Sequence, residues 1–481
     1  MHHKMRVSRL WRFTPAFGPE WGSGGVFGLR YHRGVLYFNL AFEARAHFFR
    51  GDEVKTYDYD LVGPGPTSGG DTYNAVAAVD DRIYFGGWVH APAVLPEEGK
   101  PLSFRNKFSH VHAYDLNDDK VSLIWKEGVG HEIEWAGEVS EIIHNGLEDE
   151  LLIARGDGHR NLGIYRLSLS DNRVERVSET SGLHGTIFMD HAAFNTGGIF
   201  MDGMQLVSLR THKVRDVKLD LSGSISRDGG PTSYTSVGSL ASGFGSLFAF
   251  TRGGIFVGDP LSESEESGVS FVRLFDFPGY QASPFRVNSL PVGGGILTAI
   301  NGLPDMLGLG QPRVAMPSVL VYVAPPSVRI VATLGCRITS LEGSSSGLLV
   351  GANTMPNLSE YNTTGLDIGH RDILELSHDW ASGRSSPLEI AMRASDLNTS
   401  CWGGIPLTGY RRADMVVRAA ESNRLFILEY DLSLPASPPA KPESVKIVPG
   451  KNVIDLSAFS GIVSFRFDDA DPSAAIRVTL S

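Results

Sequence analysis

Three arginines and three histidines are the residues whose types and spacing best suit this chain to chemistry. Arg252, Arg286 and Arg337 come from adjacent repeats and stand at equivalent edges of them. Guanidiniums gathered near one axis repel unless an anion, or carboxylates such as Asp190 and Asp202, lie among them. An anion there would be a ligand; carboxylates would make the cluster structural. His90, His159 and His191 belong to a concentration of histidines between residues 90 and 191. Imidazoles from separate repeats, completed by carboxylates, can hold a divalent or transition metal. No local HxH-to-HxxE pairing fixes that geometry, and ordinary hydrogen-bonded histidines are the plain alternative. His110-Val111-His112 has the spacing for one strand face, but it lies in an outer strand. The chain has no Gly-x-Ser-x-Gly elbow, Walker loop or dinucleotide fingerprint.

Charge narrows the partners. The chain carries 43 Lys and Arg against 54 Asp and Glu, a net charge of −11. With no basic run longer than a pair, neither nucleic acid nor an anionic membrane is an expected partner. Two cysteines, Cys336 and Cys401, exclude a disulfide framework and a Cys-rich metal cluster. The start, Met1-His2-His3-Lys4-Met5, leads into mixed polar sequence without an apolar h-region. The most apolar stretch, Val319 to Cys336, is broken by Pro325, Pro326 and Arg329 and cannot span a bilayer. The expected location is cytoplasmic.

The elements that must position these residues recur along the chain. Short apolar runs begin at Val35, Ile83, Leu151, Ile199, Leu247, Ile296, Leu348 and Leu425. Their spacings are 48, 68, 48, 48, 49, 52 and 77 residues, so four of seven are 48 or 49. Before each run stand a strand-like segment and an Asn/Asp/Gly turn, which is a hairpin signal. After each come two more polar strands. Four antiparallel strands repeated around a ring make a β-propeller, in which neighbouring sheets bury faces that one sheet alone cannot. The expected fold is therefore all-β: a single propeller of seven or eight four-stranded blades over residues 1–434, with a C-terminal β-rich tail over 435–481. The tail either completes the last blade or is an appended β-element. The early strand Val7 to Phe13 is placed to close the ring. The insertion Ala91 to Ser109, with Pro92, Pro96 and Pro101, is expected to be a loop outside its blade.

One face of such a ring gathers the starts of the innermost strands and the ends of the second strands. Residues there that recognition would use are Asp71, Asn74, Glu138, Asp157, His159, His191, Arg252, Arg286, Asn301 and Arg337. They are expected around one opening, and side-chain alternation decides which of them point to the axis. Asn and Asp at strand ends also cap backbone groups, which is the plainer role for many of them. Three functions fit: binding of a small anionic or carbohydrate-like molecule, or of a protein partner; a metal-dependent lyase, hydrolase or oxygenase using His90, His159 and His191; or a structural part of a larger assembly.

Along residues 20–390 the repeat resembles an archaeal family of unknown function in the propeller superfamily. The stretches Gly-Gly-Asp-Thr-Tyr-Asn at 69–74 and Glu-Trp-Ala-Gly-Glu-Val-Ser-Glu at 134–141 carry the resemblance. It implies the fold and transfers no functional residue.

Overall fold

Gly, Asn and Asp between short apolar runs turn the chain back on itself, and the computed structural model is built almost wholly of such hairpins. It describes residues 5–13, 25–93, 105–130, 137–157, 160–180, 182–196, 203–218, 237–251, 254–262, 270–274, 286–301, 314–354, 370–381, 384–394, 401–433 and 442–481. Among these, seven antiparallel sheets follow one another along the chain. Their innermost strands are Val26–His32, Val76–Val79, Glu141–Asn145, Gly185–Phe188, Val237–Gly243, Leu290–Val292 and Arg337–Gly343. Each innermost strand packs beside the next, and the seventh packs beside the first. The ring is a β-propeller. Ser68–Gly70 adds a short extra strand to the second sheet.

The runs at Val35, Ile83, Leu151, Leu247, Ile296 and Leu348 all lie in second strands. The fourth repeat is displaced by one strand from its sequence reading. Gly185–Phe188 is innermost, and His191–Thr196 is the second strand rather than the first. The short, half-polar Gly-Thr-Ile-Phe segment lacks the apolar signature of its neighbours, so local pattern points to the next strand in its place. The run at Ile199 lies outside the described residues.

Val7–Phe13 completes the seventh sheet by pairing with Arg371–Ser377. Arg12 clasps Asp372 through two hydrogen bonds of 2.9 and 2.8 Å. Trp11 and Phe13 reach sideways to Phe49 and Phe38 of the first sheet. The strand thus ties the last sheet to the first.

The eighth hairpin expected at 414–428 does not form. Ala413–Ala419 and Asn423–Tyr430 enter two different sheets. One contains Val314–Ala315, Leu388–Arg393, Ala475–Leu480, Ala413–Ala419 and Gly450–Asp455; the other contains Cys401–Pro406, Ile462–Phe467, Asn423–Tyr430 and Glu443–Ile447. Met415 and Val417 of the first share one apolar core with Leu425, Ile427 and Phe465 of the second. Facing one another, the two strands cover both apolar faces; paired in one sheet, they would leave a face needing another cover. These two sheets draw strands from both sides of residue 434. Their core continues into Phe248, Val257, Val319 and Val321 of the fifth and sixth sheets.

In the insertion, Lys107-Phe108-Ser109 already belongs to the third strand of the second sheet, paired with Trp88-Val89-His90. The expected loop is shorter at that end because Phe108 and Ser109 continue the ladder. Residues 94–104 lie outside the described residues. No helix of the described residues is long and apolar enough to cross a membrane.

Candidate functional site

Residues 69–74 leave the second sheet and cross the axis of the ring. Gly69 and Gly70 open the crossing at φ values of 157° and 146°; a Cβ there would lie 2.0 Å from the Trp88 carbonyl oxygen and 2.6 Å from Asn39 Oδ1, respectively. Asp71 folds the next residues around its carboxylate, accepting from the N–H groups of Tyr73 (2.7 Å), Asn74 (3.0 Å) and Ala75 (2.7 Å). Burial raises this carboxyl to about 7 against the pull of those N–H groups.

Every sheet of the ring then grips this segment. Asn39 of the first accepts the Asp71 N–H at 3.0 Å, and Asn74 Oδ1 accepts the Gly28 N–H at 3.0 Å. Glu138, at the entry to the third, accepts the Thr72 N–H at 2.5 Å and its hydroxyl at 2.6 Å. The Tyr73 ring meets His184 of the fourth at 5.8 Å and joins the apolar cluster of Leu183, Leu206, Leu240 and Leu247 between the fourth and fifth. Arg286, at the entry to the sixth, lies over the Tyr73 ring at 4.4 Å and donates to the Thr72 carbonyl at 3.3 Å. Asn74 donates to the Thr339 carbonyl of the seventh at 3.4 Å. Tyr73 and Asp71 have no exposed surface. The segment is a plug held by the whole ring. Asn74 and Arg286 both sit at positive φ, 111° and 62°, a conformation that these fixed partners maintain.

Of the residues expected around one opening, Asp71, Asn74, Glu138 and Arg286 are gathered here, the first two within the plug and the other two holding it. Asn301 stitches two sheets, accepting from the Ile338 N–H at 2.8 Å and donating to the Ile338 carbonyl at 2.9 Å. Arg337 is fully buried and pairs in register with Asn353. Asp157 ends the second strand of the third sheet. His159 and Arg252 lie outside the described residues. His191 begins a second strand, at the hairpin turn, and its ring contacts Asp190 at 2.8 Å. It therefore belongs to the opposite face, which corrects its place in the expected set.

Nor does the structure bring His90 and His191 together as metal ligands. His90 ends the second strand of its sheet, whereas His191 starts one. Among the described residues no three His, Cys, Asp or Glu side chains group to hold a metal. His110 and His112 do meet, with their Nδ1 atoms 2.9 Å apart, both fully buried against Tyr59, and Phe85 stacks on His112. Burial holds both neutral, His112 at about 3. His47 and His90 are lowered to about 4 by the same cause. An unfolded imidazole titrates near 6.5, so the unfolded chain takes up these protons first. Stability is expected to be full above about pH 6.5 and to fall towards pH 4, by about 1.4 kcal/mol per pH unit for each extra proton bound by the unfolded chain. Asp71 and Glu342, raised by burial, act in the opposite sense over that window but are fewer. Urea midpoints measured from pH 7.5 to 4.5 check this; a flat profile would contradict it.

Beneath the plug is an axial cavity of about 170 Å³, lined from all seven innermost strands or their entries. Of the ten expected ligand residues, Asn74 lines it. The others that do were missed: Arg30, Glu141, His184, Ser239, Ser289 and Glu342 among them. Arg30 pairs with Glu342 at 3.4 Å, and His184 Nδ1 stands 3.7 Å from Glu141. His184 is 3% exposed, and among the described residues its Nε2 has no hydrogen-bond partner. The Ser239 and Ser289 hydroxyls are 2.6 Å apart. The available signal was a charged residue inside an otherwise apolar innermost strand, as Arg30 is in Val-Phe-Gly-Leu-Arg-Tyr-His.

The model of a family described as "Uncharacterized protein conserved in archaea (DUF2139)" matches residues 36–361. The chain belongs to that family. The DUF2139 match runs from the first sheet into the seventh, includes the plug, and ends before Leu388, where the strands of the two further sheets resume. No curated protein matches the chain in sequence. Among solved structures it is similar to the tricorn protease, at 12% identity and TM-score 0.39 over 78% of this chain and 36% of that one. It thus spans about a third of that protease. It is also similar to the propeller domain of the Trilobed protease from Pyrococcus furiosus (10% identity, TM-score 0.37, 70% of this chain and 91% of that). A third is an exo-β-1,3-galactanase from Phanerochaete chrysosporium (7% identity, TM-score 0.31, 85% and 96%). Likeness at this level carries no statement about activity; the sheet topology defines the fold.

Proposed function

We propose that this protein recognises a small polar molecule, held in the axial cavity below the plug. The observation that carries the reading is the lining itself: Arg30, Glu141, His184, Ser239, Ser289 and Glu342 converge on one space from six separate sheets. A concave space bounded by a few convergent polar groups is the usual form of a small-molecule site. With the plug at the end where innermost strands start, the ligand enters past the turns that follow those strands. A cavity of about 170 Å³, walled by side chains from seven sheets, suits a small ligand.

Thr186 lines the cavity and is only half-buried. Thr186→Trp is expected to fill the space without disturbing the ring. Ligand-observed NMR with mixtures of small polar metabolites should show binding to the natural protein and at least a tenfold loss in this variant. Undiminished binding by Thr186→Trp would refute the axial site.

A further inference from the structure

Resting on that reading of the cavity, we infer that its ligand is a neutral polyhydroxylated ring, of the size of a monosaccharide or cyclitol. Charge is the first argument. Arg30 already faces Glu342 at 3.4 Å, and Glu141 stands beside His184. With His184 neutral, the lining has two carboxylates against one guanidinium; protonating it only balances them. A carboxylate or phosphate would have to displace Glu342 from Arg30 and then meet Glu141. A compact cation is no better served. Glu141 already accepts the N–H groups of Gly185 (3.0 Å) and Ile142 (3.2 Å), and Glu342 accepts that of Gly343 (2.9 Å). Among the described residues no Phe, Tyr or Trp lines the cavity to face an ammonium.

Hydroxyl groups meet these constraints because each both donates and accepts. They can donate to the remaining carboxylate lone pairs. They can also join the Ser239 and Ser289 hydroxyl pair, in which either oxygen is able to donate. Leu240 and its aliphatic neighbours supply a wall for the C–H face of a ring.

The test uses the full chain, saturation-transfer NMR and calorimetry, with three probe sets at equal concentration. These are neutral sugars and cyclitols (glucose, galactose, arabinose, myo-inositol), anions (malate, citrate, inorganic phosphate) and amines (putrescine, choline). A neutral sugar or cyclitol is expected to bind, with at least tenfold weakening in Thr186→Trp and in His184→Phe. Ser289→Ala, at a half-buried position, gives a second readout should His184→Phe fail to fold, with an expected three- to tenfold weakening. Binding of an anion or amine alone, still abolished by Thr186→Trp, would overturn the ligand class and leave the axial site standing. Binding that ignores Thr186→Trp, or none from any set, would overturn both.

Discussion

Tyr73→Ala is expected to destabilise the protein by about 3–5 kcal/mol, the range for deleting a buried aromatic side chain. The ring is fully buried, carries Arg286 on its face, meets His184 at its edge and fills space among the leucines between the fourth and fifth sheets. Its removal leaves a cavity at the centre of the ring and takes the stacking partner from a buried guanidinium. Tyr73→Phe keeps the ring and should lose less than half as much. Urea denaturation followed by intrinsic fluorescence reads both variants. A loss below about 1 kcal/mol for Tyr73→Ala would mean that the crossing segment does not hold the sheets together.

Removal of residues 1–13 should have an effect at least as large. The strand Val7–Phe13 supplies the outer ladder of the seventh sheet, the clasp of Arg12 on Asp372, and the aromatic contacts to Phe49 and Phe38. Net hydrogen-bond contributions of about 1 kcal/mol each, with part-burial of two aromatic rings, put the loss on the order of 5 kcal/mol or more. The truncation also bares the edge of Arg371–Ser377, a template for pairing with another chain. The truncated protein is therefore expected to melt lower and to associate, as light scattering during a thermal ramp would show. An unchanged midpoint with no association would mean that the ring does not depend on this closure.

Much of this architecture is legible locally. A strand pair with its turn is encoded within about fifteen residues, so the runs at Val35, Ile83, Leu151, Leu247, Ile296 and Leu348 mark second strands directly. The closing role of Val7–Phe13 follows because a ring needs a partner for its last edge. Distant pairing is not legible locally: Ala413–Ala419 and Asn423–Tyr430 look like a hairpin, yet the first pairs with Gly450–Asp455 and Ala475–Leu480 and the second with Glu443–Ile447 and Ile462–Phe467. Alternation alone cannot say whether two strands lie side by side or face to face.

The candidate site divides in the same way. The sequence by itself determined which end of the ring collects polar residues, since strand direction alternates with the turns it encodes. Only the tertiary structure decided what those residues serve. Asp71, Asn74, Glu138 and Arg286 converge on a segment of the same chain, because a loop that crosses the axis meets every sheet at once and satisfies their bonds. Arg30, Glu141, His184 and Glu342 come together around the axial cavity from four sheets, although they lie up to 312 positions apart in the sequence. Of the four, only Arg30 stands out in its own strand; only closure of the ring places them around one space.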